Sequence, residues 1–195
     1  MEHSYIPRYH LYPTNPQILH HLVLELFVRA PGAEKEDAPF YSLVPSGPIY
    51  KYGWVLAEQW KQIFSSHPTY KTLVVIAWVD LPPDVSCVVT DDEQLHSFFG
   101  TIILDKNAYV GGVVQSAGMF ALYAKPIEAQ MPFIRAYKHL DNVVPYIINI
   151  AKDQIALDDL LDTIVAHHGD DACYVFVQPE EGVEKILAYV ESAGR

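Results

Sequence analysis

A run of apolar residues rich in β-branched side chains, KTLVVIAWV, occupies positions 71–79. Nearly every position in it is apolar, and Leu81-Pro82-Pro83 ends it. An unbroken apolar run of this length is typical of a strand that is covered on both faces, because neither face alternates with polar residues. We therefore expect residues 71–79 to form the central strand of a sheet that has other layers on either side.

Two further clear patterns lie in the C-terminal third of the chain. Residues 172–177 (ACYVFV) repeat the continuous apolar pattern and predict a second buried strand. Before them, apolar residues recur at i, i+3, i+4, i+7 and i+8, which predicts an amphipathic helix; they are Leu157, Leu160, Leu161, Ile164 and Val165. His167-His168-Gly169 ends that helix. A last helix is predicted to open at Pro179 and to bury Val183, Ile186, Leu187 and Val190.

Shorter patterns assign the remaining segments. In residues 18–28 the residues Leu22, Leu24 and Leu26 occupy every second position, which would place them on one face of a strand. This alternation favours a strand over a helix. Further short strands are predicted at 85–89, 101–104, 109–114 and 119–124. Helices are predicted at 54–65, 91–99, 128–140 and 143–150, the last with Pro145 near its start.

The N-terminal end has a different composition. Residues 1–48 hold half of the 14 prolines, and tyrosines crowd the first 70 positions. Proline cannot donate to a helix or a ladder, so we expect residues 1–17 to form an extended Pro/Tyr-rich arm. Residues 30–39 are expected to form an exposed loop.

The chain length of 195 residues corresponds to one domain, and residues 1–195 are taken as a single globular domain. Strands and helices occur along the whole length without regular βαβ alternation. This favours an α+β fold: a mixed or mainly antiparallel sheet with helices packed on it, and a helix-rich C-terminal third.

Composition argues against several classes of function. The 24 acidic and 13 basic residues give a formal charge of −11, which opposes binding to a nucleic-acid backbone. No apolar run reaches the ~18 residues of a membrane helix, and no signal-peptide core opens the chain, so we expect a cytoplasmic protein that binds no membrane. Cys87 and Cys173 lie in apolar runs and are interpreted as buried thiols, with a disulfide left open. No P-loop or GxGxxG motif occurs, and no cofactor is expected.

A small hydrolase is the alternative hypothesis, and its candidate catalytic residues are few. Asp80 and Asp84 flank Leu-Pro-Pro at the carboxyl end of the predicted central strand, where open α/β sheets bind ligands. They also suit a turn. Ser116 lies among small residues in GVVQSAG, similar to a nucleophile elbow but without its first glycine. Small residues at this point also permit close backbone approach.

The densest set of potential metal ligands is the sequence His167-His168-Gly169-Asp170-Asp171. Imidazole and carboxylate groups together suit a first-row metal. However, histidines in a last turn complement the helix dipole, and a glycine after them ends a helix. We prefer this capping interpretation and predict no bound metal, with His167 and His168 as the only metal candidates.

The strongest functional signal is charge. Residues 151–195 carry ten acidic and three basic residues, and an amphipathic helix must place its acids outward. We expect these acids to steer a basic protein partner; the candidate partner-binding residues are Asp158, Asp159, Asp162, Asp170 and Asp171. The alternative is that the same net charge serves solubility alone. The leading hypothesis is a non-catalytic acidic protein-binding domain, for example an inhibitor or immunity-type protein that masks a basic surface of a toxin or enzyme. A subunit of a homo-oligomer is a third hypothesis.

Overall fold

The computed structural model describes residues 11–31, 41–66, 70, 72–97, 100–105, 109–136, 142–178, 185 and 187–189. Its helices are α1 (Pro16–Arg29), α2 (Ile49–Ser66), α3 (Ala117–Tyr123), α4 (Lys125–Ala136) and α5 (Gln154–His168). Its strands are β1 (Tyr41–Pro45), β2 (Thr72–Val79), β3 (Cys87–Val89), β4 (Gln94–Ser97), β5 (Gly100–Ile103), β6 (Val114–Gln115), β7 (Val143–Asn149) and β8 (Ala172–Gln178).

The main sheet in the described part of the chain has the strand order β1-β8-β2-β7-β3-β6. Strands β1, β8, β2 and β7 are parallel, β3 runs antiparallel to β7, and β6 is parallel to β3. Strand β2 therefore lies inside the sheet, and its Leu73 is paired with Val143 on one side and Cys173 on the other. Strands β4 and β5 form a separate antiparallel pair. The fold is α+β with a mixed sheet, as the sequence predicted, and β2 is the expected central strand.

Two crossovers run in opposite directions along this sheet. The chain passes from β1 through α2 to β2, skipping the position of β8, and from β7 through α5 to β8, skipping the position of β2. Parallel crossovers are almost always right-handed, so opposite directions place their helices on opposite faces. The structure has this arrangement, with α2 on one face and α5 on the other.

The alternation of side chains along β2 divides the interior into two cores. Leu73, Val75 and Ala77 face the layer formed by α1, α2, α3 and α4. Val74, Ile76 and Trp78 face α5. Both sets are buried, which explains why the sequence of β2 has no polar face.

One buried glutamine connects the first helical layer to the sheet. Gln130 of α4 accepts a hydrogen bond from Trp60 Nε1 of α2 (2.9 Å), and its Nε2 donates to the carbonyl of Pro45 at the end of β1 (2.9 Å). Burying an amide is favourable only when its donors and acceptors are paired. Gln130 therefore fixes the positions of two helices and one strand relative to each other.

The strand predicted at residues 18–28 is wrong, because this segment lies within α1. Asn15 caps the helix by accepting hydrogen bonds from the N–H groups two and three residues further on (2.9 and 3.1 Å), and Pro16 opens it. Asn followed by Pro is a helix-start signal. Leu19 and Val23 are buried at i, i+4, so the apolar residues form a helical stripe whose parity only resembled a strand.

The helix predicted at residues 143–150 is also wrong, because the segment forms β7 between β2 and β3. Successive N–H groups along β7 point alternately to β2 and to β3. The N–H of Asn149 points to the β3 side and donates to the carbonyl of Ser86 (2.9 Å). The backbone nitrogen of residue 145 also points to the β3 side, but β3 ends at Val89, before it is opposite residue 145. Pro145 therefore lacks an N–H only where no partner strand needs one.

Two other short segments differ from the prediction. Of the helix predicted at 91–99, residues 94–97 form β4 and residues 98–99 lie outside the described part of the chain. Of the strand predicted at 119–124, residues 119–123 belong to α3. Of the strand predicted at 109–114, only Val114 is in β6. The predicted elements at 54–65, 85–89, 101–104, 128–140, 157–165 and 172–177 correspond to α2, β3, β5, α4, α5 and β8.

The chain ends are described only in part. The predicted arm at 1–17 and loop at 30–39 lie largely outside the described residues, but Leu11 and Tyr12 are buried, and the carbonyl of Leu11 accepts from Ile49 N–H (2.7 Å). The start of the predicted last helix also lies outside. Residues 187–189 are helical, with Tyr189 buried and Leu187, which was expected in the core, 42% exposed.

The two cysteines give a direct test of the layered interior. Cys87 faces the α5 core and Cys173 faces the opposite core, so the sheet separates the two free thiols. Burial raises the pKa of each thiol to about 12, which suppresses the reactive thiolate. We expect both thiols to react with Ellman's reagent at pH 8 only at the rate of unfolding, and both to react at once in denaturant. Rapid labelling of the native protein would contradict this arrangement.

Candidate functional site

Helix α5 positions most of the predicted partner-binding residues. Asp153 caps its start by accepting from Ala156 N–H (2.9 Å), and Gly169 ends it with a φ of +71°. The predicted apolar stripe is buried against the sheet at Leu157, Leu161, Ile164 and Val165. The rest of the helix is thereby turned outward.

The outward side of α5 forms a surface that we call the α5 acidic face; it consists of Ile155, Asp158, Asp159, Asp162 and Ala166. Ile155, Asp159, Asp162 and Ala166 recur at i, i+4, i+7 and i+11 and are exposed, with Ile155 at 75%. Asp158 is half-buried. The face therefore combines three carboxylates with one exposed apolar side chain.

The carboxylates of this face have neutral partners only. Asp158 accepts from Gln154 Nε2 (2.7 Å), and Asp162 accepts from the hydroxyl of Tyr189 (3.0 Å). Within the described ranges neither these two residues nor Asp159 forms an ion pair. Asp170 and Asp171 follow the helix and are exposed. Within the described ranges, the carboxylates of Asp158, Asp159 and Asp162 are therefore not neutralised by an ion pair.

His167 and His168 occupy the last turn of α5 and have different environments. His167 is exposed, whereas His168 is half-buried and its Nε2 lies 3.0 Å from the hydroxyl of Tyr146 in β7. Among the residues the structure describes, no group of three or more His, Cys, Asp or Glu side chains is arranged to hold a metal ion. Gly169 adopts the positive φ expected of a helix-ending glycine.

The contact of His168 with Tyr146 belongs to a short hydrogen-bonded chain. Val110 N–H donates to the Tyr146 hydroxyl (3.3 Å). Burial, and secondarily the neighbouring His167, lowers the pKa of His168 to about 4, while Asp105 acts in the opposite direction. Burial raises the pKa of Tyr146. At neutral pH the imidazole is therefore uncharged, and its Nε2 shares one hydrogen bond with the Tyr146 hydroxyl.

The carboxyl ends of β2 and β7 flank an open groove, which we call the β2–β7 groove. Its volume is about 500 Å³, and it is lined by Asp80, Leu81, Pro82, Pro83, Tyr123, Asn149, Ala151 and Lys152. Sequence analysis identified Asp80 alone among these residues as a candidate. The exposed Asp84 lies in the same loop but does not line the groove.

Asn149 holds the two walls of the groove together. Its Nδ2 donates to the carbonyls of Leu81, Pro82 and Val85 (3.2, 3.1 and 2.8 Å), and its Oδ1 accepts from the N–H groups of Leu81 and Ala151 (3.3 and 3.0 Å). Asn149 is 1% exposed. The loop after β2 is therefore fixed to the end of β7 by a fully paired buried amide.

Ser116 acts as a helix cap. Its Oγ accepts from Met119 N–H at the start of α3 (3.2 Å), and Asp91 accepts from Ala117 N–H (2.6 Å). A capping hydroxyl satisfies one of the unpaired backbone donors at the start of a helix. The sequence similarity to a nucleophile elbow thus reflects a short polar turn before α3.

The predicted catalytic candidates do not come together. Asp80 follows β2 at the carboxyl edge of the parallel strands, whereas His167 and His168 precede β8 at the amino edge. These edges are separated by the length of β2, about 26 Å at roughly 3.3 Å per residue. Ser116 follows β6, which runs opposite to β7, so it lies at the amino edge and away from the groove. At that edge β6 and β8 are four strand positions apart, about 19 Å at roughly 4.8 Å per strand, so Ser116 is remote from the two histidines. No nucleophile, base and acid from this set share one site.

A second, smaller space lies under the helical layer. It is lined by Tyr12, Leu95, His96, Phe120, Ala124, Ile127, Glu128 and Met131 and has a volume of about 10 Å³. That is enough for one water molecule. Glu128 is 3% exposed there, and burial together with its charge raises the pKa of Tyr12. This space is too small for a substrate.

No family model matches the chain, and none of the curated proteins is significantly similar to it. No helix in the described part of the chain is both long and apolar enough to cross a membrane. Function then has to follow from the geometry and charge of the chain itself.

The lowered pKa of His168 predicts a pH dependence of stability. Between the unfolded value of about 6.5 and the folded value of about 4, the unfolded state binds a proton that the folded state does not. The free energy of unfolding should therefore fall as pH falls through this window. His168→Gln keeps an acceptor for Tyr146 and should flatten the dependence, while His167→Gln should not. Equal slopes in urea titrations of all three proteins would contradict the assignment.

Asn149→Ala should reduce the free energy of unfolding by about 3 kcal/mol, because buried carbonyls and N–H groups lose their partners. Asn142→Ala is the matched control, since Asn142 is exposed and should change stability by less than about 0.5 kcal/mol. Chemical denaturation of both variants gives the comparison. Similar midpoints for the two would mean that the amide of Asn149 does not stabilise this edge.

Proposed function

We propose that this chain is a non-catalytic, acidic protein-binding domain that binds a basic protein through the α5 acidic face. The observation that carries the proposal is that Asp158, Asp159 and Asp162 lie on one outward helix face without a described ion pair. Uncompensated like charges on one face create a field that accelerates encounter with a surface of opposite charge.

The exposed Ile155 gives this face a second property of interfaces. It is 75% exposed and lies one helical turn before Asp159. Interfaces commonly bury a central apolar anchor and keep charges at the rim. An apolar contact at Ile155 with acids beside it fits a partner that presents a small apolar depression surrounded by lysine or arginine. An inhibitor or immunity-type protein that masks a basic surface is one function of this kind.

The hydrolase hypothesis has less support. Its candidate residues Asp80, Ser116 and His168 occupy the groove, a helix cap and a buried contact with Tyr146, respectively. A hydrolase needs its nucleophile and its base within hydrogen-bonding reach. Ligand binding in the β2–β7 groove remains compatible with protein binding at α5, because the two surfaces are distinct. A homo-oligomer stays a prediction.

Affinity capture with matched baits tests the proposal. The test variant is Asp159→Lys with Asp162→Lys, and the control is Glu58→Lys with Asp84→Lys, which makes the same change in net charge at exposed positions elsewhere. Basic proteins retained from native lysate by the unmodified chain and by the control should be depleted on the test bait. Equal retention on all three baits would contradict binding at the α5 acidic face.

Association kinetics with a purified captured protein give the quantitative form of this test. We expect the test variant to slow association about tenfold at low salt and to weaken its salt dependence, while dissociation changes less, because rim charges act mainly on encounter. Circular dichroism and thermal unfolding control for the lost Tyr189–Asp162 hydrogen bond. An unchanged association rate would assign the acids to solubility alone.

A further inference from the structure

The β2–β7 groove lies where the topology of the sheet favours a ligand. The loop after β2 leads directly to β3, on the far side of β7, and after β7 the chain goes on to α5 on one face of the sheet. The groove thus lies at the carboxyl ends of two neighbouring parallel strands, the edge at which open α/β sheets bind ligands. The groove volume of about 500 Å³ is within the range of small-molecule sites.

The walls of the groove are rigid. Asn149 fixes the loop after β2 through the backbone of Leu81, Pro82 and Val85, and both prolines in that loop restrict its backbone further. A site that is already ordered loses little conformational freedom when a ligand enters, so even a small ligand gains affinity.

Two opposite charges line the groove without neutralising each other. The exposed Asp80 has no hydrogen bond or ion pair within the described part of the chain, and it does not pair with Lys152. Lys152 Nζ donates to the carbonyl of Pro83 (2.7 Å), and an ammonium group has three donors. The groove therefore offers one carboxylate acceptor and at least one ammonium donor at separate points.

Apolar surface accompanies these charges. Tyr123 from α3 forms one wall, half-buried, and Pro82 and Pro83 form part of another. An aromatic ring and proline rings favour contact with an apolar or aromatic group. The single lysine and the net charge of the chain also disfavour a polyanionic ligand.

We propose that the β2–β7 groove binds a zwitterionic amino-acid-type ligand with an apolar side chain. Its ammonium group contacts Asp80, its carboxylate contacts Lys152, and its side chain lies against Tyr123. A free amino acid and a short peptide both carry this chemistry, and they differ in the separation of their charged ends. This site is independent of the α5 acidic face.

Chemical-shift mapping of the full-length ¹⁵N-labelled chain tests the proposal with four probes. These are phenylalanine, N-acetylphenylalanine without the ammonium group, phenylalaninamide without the carboxylate, and the dipeptide Phe-Leu. We expect phenylalanine or Phe-Leu to shift the amide signals of Leu81, Ala151 and Lys152, and the two blocked probes to bind about tenfold more weakly than phenylalanine. If phenylalanine binds more tightly, the ligand is a free amino acid; if Phe-Leu binds more tightly, the ligand is a short peptide.

Single substitutions assign each charge. Asp80→Asn should weaken phenylalanine and phenylalaninamide about tenfold and leave N-acetylphenylalanine unchanged. Lys152→Gln should weaken phenylalanine and N-acetylphenylalanine and leave phenylalaninamide unchanged. Asp84→Asn, a neighbouring exposed carboxylate outside the groove, should change none of them. Absence of shifts with all four probes at about 10 mM, equal affinity for blocked and unblocked probes, or an unchanged affinity in Asp80→Asn would overturn the proposal.

Discussion

The pairing of β2 with two strands that come later in the chain is the constraint on which the rest of the structure depends. Leu73 is paired with Val143 and with Cys173, so the central strand is complete only when segments about 70 and 100 residues away have joined it. The direction of each crossover then sets which face each helix covers. Loop closure over such distances is slow, and it makes folding depend on long-range contacts more than on local propensity.

The same topology separates the two proposed binding surfaces. Because α5 returns from β7 to β8 on the face opposite α2, its outward side is remote from the helical layer that covers the other face of the sheet. At the carboxyl edge of the sheet, the loop after β2 and the turn after β7 line an open groove. One arrangement of strands thus leaves a charged helix face available for a macromolecule and a preformed groove available for a small ligand.

Buried polar side chains give this arrangement its specificity. Gln130 links Trp60 to the end of β1, Asn149 links two loops, and Tyr146 links Val110 to His168. Apolar packing alone would tolerate small shifts of helices over the sheet, whereas a buried amide is satisfied in one geometry. Each of these three residues joins segments that are distant in sequence.

The sequence by itself determined the elements whose patterns have one physical explanation. The unbroken apolar runs of β2 and β8 identify strands covered on both faces, and the i, i+3, i+4 spacing of Leu157, Leu160 and Leu161 identifies α5. The outward direction of Asp159 and Asp162 follows from that helix. Asp80 was also recognised, since it ends the central strand.

Only the tertiary structure decided the segments whose apolar residues suit a helix and a strand equally. Residues 143–150 form a strand because β2 and β3 provide partners, and Pro145 is tolerated because β3 ends before it. Residues 18–28 form a helix because Leu19 and Val23, one turn apart, are buried in the core that α1 shares with α2 and α4. The sequence did not indicate that Lys152 and Tyr123 line one groove with Asp80, or that Tyr146 contacts His168. Chain crossovers bring these residues together, and no sequence spacing records a crossover.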